Sequence, residues 1–282
     1  MQRTLPMKLA YYGAVIFIIL FTVGPIFWNF IVSLSPEAEV LKPTQHLLPS
    51  TLTVENYSTI FQTNSQASRT VISALENSFL LALWTLVISL PLTTLGGYAL
   101  ARYRFSGRTV LLNALILTIV IPMVARIIPV YAMFREYNML DSFFWTAVLY
   151  TTMAIPIITW ISMNYFSQLP QELWQAAELD GFTEWTMFTR IILPISQPIV
   201  LTNALIIFII SWKQFMVPTI LLSAYENRAI TMIMSDFMTK DTIQYALIAA
   251  CGMIAIIPPA ILAVFFRHYL ISGLTAGATK TN

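Results

Sequence analysis

Six long apolar runs bounded by charges dominate this chain, near residues 10–34, 71–100, 109–133, 143–167, 195–222 and 243–270. Each can form a helix that crosses a hydrocarbon core about 30 Å thick, which takes about 20 residues at roughly 1.5 Å per residue. Backbone in lipid must satisfy its own hydrogen bonds, so the runs predict an all-α integral membrane protein with six transmembrane helices. Composition agrees: 57% of the 282 residues are apolar and only 10% charged, too little polar surface for a water-soluble globule. A net charge of +2 does not point to nucleic acid. The single cysteine, Cys251, excludes an internal disulfide and a cysteine-built metal site, and His46 and His268 have no metal-ligand spacing. No Gly precedes a Lys, so a Walker A phosphate loop is absent and whatever energy this protein uses must come from a partner or an ion gradient.

The first run follows Arg3 and Lys8 and is longer than the roughly 7–15 residues of a cleaved signal core, which predicts a retained anchor. An even number of spans places both termini on one side. Arg102, Arg104, Arg108, Arg190, Arg267 and Lys280 join Arg3 and Lys8 there, whereas Lys42, Arg69, Arg135, Arg228 and Lys240 on the other side are diluted by acids. The positive-inside bias therefore predicts cytoplasmic termini in a multi-pass inner-membrane protein. Residues 1–70 are expected to form the anchor helix and an outer loop, and 71–282 the main transmembrane domain.

Two connections are long enough to fold. The outer segment 35–70, with Pro36, Pro43 and Pro49, reads as irregular chain with one short amphipathic helix around 54–61. The inner segment 168–194 has helical composition after Pro170, breaks at Asp180-Gly181, resumes through Phe182–Ile192 and stops at Pro194, predicting a cytoplasmic helix–turn–helix between spans four and five.

That hairpin reads Gln175-Ala176-Ala177, three residues, Gly181, nine residues, Ile191, one residue, Leu193-Pro194. It resembles the E-A-A-x3-G-x9-I-x-L-P coupling motif of permease subunits of binding-protein-dependent ABC importers, with Gln175 replacing the first Glu. The segments Asn77-Ser78, Tyr98–Arg108 and Gly273–Lys280 are similar to the carbohydrate-uptake, maltose-permease-like branch. The small residues Ala176, Ala177 and Gly181 let another protein approach the backbone closely. The resemblance implies an ATPase-coupling role for Glu172, Gln175, Ala176, Ala177, Asp180, Gly181, Leu193 and Pro194, with a second contact from the tail. It implies as partners a second homologous permease, two ATPase subunits that carry the ATP and Mg, and an extracytoplasmic substrate-binding protein. This chain itself is expected to hold no cofactor and to do no chemistry.

Arg126 and Lys213 are the two basic residues well inside the predicted spans. Charges in lipid are costly and tend to face a cavity or a partner, so both are candidates for the substrate path, or for pairing with acids such as Glu76. On the path they favour an anionic carbohydrate, such as a uronate oligosaccharide or a phosphorylated polyol. Trp212, Gln214, Asn203, Thr151 and Thr152 are weaker path candidates that can hydrogen-bond to or stack on a sugar, or make helix–helix contacts. The rival reading is an ion-coupled secondary transporter, which calls for intramembrane acids or an inverted repeat; apart from Glu76 near a span end, neither is evident.

Overall fold

The computed structural model describes residues 5–42, 48–62, 66–238 and 243–275. Arg3, Pro43, His46, Lys240, Lys280 and the tail beyond Thr275, with its expected ATPase contact, lie outside them. Among the described residues the regular elements are helical, apart from one isolated bridge between Met238 and Ile243. Four unbroken helices are long and apolar enough to span a membrane: α1 (Leu5–Ser33), and, after the short α2 (Glu37–Val40) and α3 (Glu55–Phe61), α4 (Gln66–Arg102), α7 (Phe143–Phe166) and α14 (Tyr245–Thr275).

Neither of the other two expected spans is one unbroken helix, and the total reaches six only if two bent helix pairs, Arg108–Val120 with Met123–Glu136 and Glu184–Ile195 with Gln197–Trp212, each count as one span. The 109–133 run is not one helix but α5 (Arg108–Val120) and α6 (Met123–Glu136), bent by 96°. Pro122 disfavours the helical conformation of the residue before it, and Ile121 is accordingly extended (ψ 115). The 195–222 run likewise divides. A helical stretch Glu184–Ile195 meets α11 (Gln197–Trp212) at 80°, with Pro198 in the first turn of α11, where no backbone N–H is needed. After Lys213–Phe215 comes α12 (Met216–Leu221), and α13 (Ile230–Asp236) precedes α14.

The chain divides into two compact units that differ from the expected 1–70 and 71–282 halves. The first joins residues 1–73 to 232–257, and the second contains 74–231 and 258–282. In the first, α1 is tied to α14 by Asn29 Nδ2 donating to Ala249 O (3.2 Å). Glu37 caps the start of α14, accepting from Tyr245 N and Ala246 N at 2.8 Å each, which satisfies two of the N–H groups a helix start leaves open. Asn56 of α3 donates to Ser33 O (2.9 Å) and Ser35 O (3.0 Å) at the end of α1.

In the second unit, Leu81 of α4, Ile127 and Phe134 of α6, Tyr150 of α7 and Val217 of α12 share one buried apolar cluster. A smaller one joins Ala154 and Ile158 of α7 to Ile207 of α11. Between the helices run short polar bonds: Ser89 Oγ donates to Thr151 Oγ1 (2.9 Å), and Asn203 Nδ2 to Ser162 Oγ (2.8 Å). α4 and α7 approach closely at Gly97, where a Cβ would lie 2.3 Å from Ser162 Cβ. In the first half of α4, Asn77 Nδ2 donates to Glu226 O (2.6 Å) and Arg228 O (3.0 Å), and Ser78 Oγ accepts from Ile230 N (2.8 Å).

Candidate functional site

The hairpin is built outward from the far end of α4. Its first arm, α8 (Gln171–Leu179), follows Pro170 and turns Trp174 and Ala177 inward. Gly181 then takes the left-handed conformation (φ +75); its N–H donates to Glu178 O (3.1 Å) and that of Phe182 to Ala177 O (3.0 Å), a Schellman closure of the helix end. The second arm starts at Glu184 rather than Phe182, because Thr183 Oγ1 caps it by accepting from Thr186 N (3.3 Å). This arm comprises α9 (Glu184–Met187), one π-turn (Phe188–Ile192) and α10 (Leu193–Ile195), so it passes Pro194.

Trp174, Ala177, Met187, Phe188 and Ile192 bury one face of the hairpin against Tyr98 of α4 and Phe166 of α7. The Tyr98 ring lies 4.8 Å from that of Phe188, 5.7 Å from Trp174 and 5.9 Å from Phe166. A polar clamp closes the joint. Arg102, the last residue of α4, pairs with Glu178 on the first arm and with Glu184 on the second (3.0 Å), and its guanidinium sits 5.1 Å over the Trp174 ring. Tyr98 Oη donates to Glu184 Oε2 (2.8 Å). Burial pushes the Glu184 carboxyl up, but hydrogen bonds from Tyr98 and Arg102 and the Arg102 charge outweigh it and hold the group below its ordinary value.

The outer face is open. Glu172, Gln175, Ala176, Asp180 and Gly181 are exposed, Leu179 is 89% exposed and Trp185 65%. Nothing lies within 4 Å of a Cβ built on Gly181. Ala177, grouped in the sequence with the small residues for close approach by another protein, is buried at 2% on the inward face. Leu193 is half-buried against the hairpin base and Pro194 is exposed. Arg102, read from sequence as a topology charge and, with Tyr98, as part of the family-like segment Tyr98–Arg108, was not singled out as a site residue, nor were its partners Tyr98, Glu178 and Glu184.

The intramembrane candidates are placed differently from one another. Arg126 lies in the first turn of α6, half-buried, with its Nε buried and unpartnered. Lys213 is exposed at the end of α11. Both are close in the chain to one apolar cluster, in which Met123, Ile127 and Val130 of α6 pack with Met216, Val217 and Ile220 around α12. Among the described residues neither forms an ion pair, with Glu76 or any other acid. Glu76 instead lines an apolar hollow of about 640 Å³ with Trp212 and Pro258. Trp212 is buried and stacked on Phe208 (5.2 Å), and Gln214 contacts Met153 Sδ (3.9 Å). Thr151 and Asn203 lie in the helix–helix bonds described above, Asn203 with its Oδ1 unpartnered, and exposed Thr152 donates back to Leu149 O (2.7 Å). No cluster of metal-ligating side chains occurs among the described residues.

Among the described residues, apolar helices long enough to cross a membrane carry a helical hairpin clamped by Arg102, Glu178 and Glu184, the architecture of a membrane-embedded subunit. Residues 93–275 match the family described as "Binding-protein-dependent transport system inner membrane component", and the chain belongs to it. It is thus the permease subunit of an importer, not an enzyme; membership sets aside the ion-coupled secondary transporter. The chain is 29% identical to the sulfoquinovosyl glycerol transport system permease protein of Agrobacterium fabrum over 91% of its own length and 88% of that protein's. It is 31% identical to the maltodextrin transport system permease protein of Bacillus subtilis, covering 73% and 74%. In fold it is similar to a chain of a bacterial ABC transporter involved in the import of the acidic polysaccharide alginate, with a TM-score of 0.76, 20% identity, and coverage of 95% and 99%.

Proposed function

We propose that this chain forms half of the translocation path of an ATP-driven importer of an anionic carbohydrate, a uronate oligosaccharide or a phosphorylated polyol. The observation that carries the anionic reading is Arg126, a cation in an apolar helix pair whose buried Nε has no partner among the described residues. A half-buried guanidinium with one nitrogen buried and unpartnered and no ion pair among the described residues favours an anionic ligand. Lys213, exposed at the end of α11 just before the α12 residues that pack with α6, adds a second cation. Acidic or anionic cargoes in the names of two similar proteins support the reading, and maltodextrin in a third makes the neutral sugar its natural competitor.

The remaining parts follow from the hairpin. Its exposed edge of Gln175, Ala176, Leu179, Asp180 and Gly181 seats on an ATPase subunit at the cytoplasmic side, where both termini lie. A second permease completes the path, and a binding protein delivers cargo to the opposite face. ATP-driven closure of the ATPases moves the knob and shifts the helices between inward-open and outward-open states. Gln175, in place of the family's Glu, couples through hydrogen bonds rather than an ion pair.

The test is the ATPase activity of the purified complex with its binding protein, across neutral sugars, uronate oligomers and phosphorylated polyols. Stimulation by acidic cargo, lost in Arg126→Ala and Lys213→Ala, is expected. Stimulation by neutral sugars alone refutes the anionic reading and leaves the importer intact.

A further inference from the structure

Below the hairpin, where it meets the membrane helices, lies a polar hollow of about 390 Å³ walled by Arg102, Arg104, Arg108, Gln175 and Glu178, among others. We propose that it holds the phosphate of an anionic phospholipid headgroup. Three apolar helices end or begin at this level, α4 at Arg102, α5 at Arg108 and α7 at Phe166, so the hollow lies at the boundary between hydrocarbon and water. The turn joining α4 to α5 presents Tyr103 and Phe105, 44% and 46% exposed, as amphipathic rings do at headgroup depth.

The charge of the hollow is not balanced by the described residues. Its carboxylate wall, Glu178, is taken by Arg102. Arg104 and Arg108 have no acidic partner among the described residues. Arg108 Nε is anchored on Leu100 O (2.8 Å), which fixes the guanidinium without neutralising it. Gly107, in the left-handed conformation (φ +89), starts α5 here, so the free N–H groups of a 13-residue helix add to the positive field. Two uncompensated guanidiniums beside a helix start, at the edge of a bilayer, fit a phosphate whose acyl chains run into the lipid beside α5. This inference rests on the membrane spans and not on the nature of the cargo or the seating of the hairpin.

The test measures retention of phosphatidylglycerol against phosphatidylcholine on the purified complex by native mass spectrometry. Phosphatidylglycerol is expected to bind preferentially. At roughly 1 kcal/mol per basic residue near a membrane surface, Arg104→Gln combined with Arg108→Gln should weaken it about thirtyfold. Arg104→Gln alone should weaken it about fivefold; this side chain makes no contact the fold needs, so the single variant keeps the test valid if the double variant misfolds. Arg190→Gln, at an exposed arginine of the second arm, should change nothing. Equal retention by the wild type and Arg104→Gln, or an equal loss in Arg190→Gln, overturns the proposal. So does Arg104-dependent protection by inorganic phosphate without lipid retention, which makes free phosphate the ligand. Loss of ATPase copurification with lipid binding unchanged would assign the hollow to the ATPase instead.

Discussion

Replacing Arg102 with alanine should release the hairpin from the helices that carry it. The side chain is 22% exposed and meets two glutamates that are 53% and 42% exposed. Pairs so open to water contribute at most about 1 kcal/mol each, and we take about 0.5–0.7 for each of the two. The guanidinium over Trp174 adds about 0.5–1 kcal/mol. The sum of about 2 kcal/mol corresponds to about a thirtyfold shift from docked toward detached hairpin. Once detached, the nine residues of α8 are too few to remain helical in water, so detachment exposes their amides. Hydrogen exchange of residues 171–187 in nanodiscs should therefore accelerate about thirtyfold in Arg102→Ala, with α7 amides unchanged. Arg102→Lys, which keeps the charge but loses the two-pronged geometry, should fall between, near fivefold. An acceleration below about threefold in Arg102→Ala would refute the reasoning, because it leaves the clamp with less than about 0.7 kcal/mol.

Gly97→Ala should cost about 1–3 kcal/mol and lower the melting temperature, because its Cβ meets Ser162 Cβ at 2.3 Å and Met163 N at 2.9 Å, and the helices must part. Gly96→Ala, whose nearest contact is a Thr159 methyl at 3.6 Å, should be neutral or slightly stabilising in the same melt. Gly181→Ala should loosen the turn by about 1 kcal/mol and Gly181→Asn by less, read as exchange of the Phe182 amide, since the space is open and only the positive φ matters. The lowered Glu184 carboxyl contributes stability that is fully present above the ordinary value of 4.5 and lost as pH falls through the lowered one. The difference in melting temperature between wild type and Glu184→Gln should be constant at neutral pH and shrink only in that acidic window; a difference independent of pH would contradict this.

The apolar runs and the hairpin were legible because both are local patterns: length, hydropathy, and a glycine at the offset where a helix must end left-handed. The bends were legible only in part. Pro122 and Pro198 stand in plain view, yet Pro25, Pro91 and Pro156 lie inside helices that continue, so a proline alone does not say which run will break. Which side of a helix faces the protein was harder still. α7 and α11 are apolar nearly all round, so their sequences carry no stripe to orient Thr151 or Asn203 toward a neighbouring helix. The clamp was illegible for a simpler reason: Arg102 meets glutamates 76 and 82 positions further along, and no local spacing relates them.

The close approach at Gly97 also has a mechanical meaning. Between Ser78 and Arg102, α4 is a rod of roughly 36 Å, bolted to the hairpin at one end and to the 226–230 loop at the other. With Gly97 as fulcrum, its short arm to Arg102 is about 7.5 Å and its long arm to Asn77 about 30 Å. A small tilt imposed on the hairpin is therefore magnified about fourfold at the opposite face, less whatever flexure Pro91 absorbs. A displacement of about 1 Å beneath the knob translates into about 4 Å where Asn77 holds the loop. Under the proposed coupling, gearing of this kind would let a modest stroke at one membrane face open or shut a passage at the other.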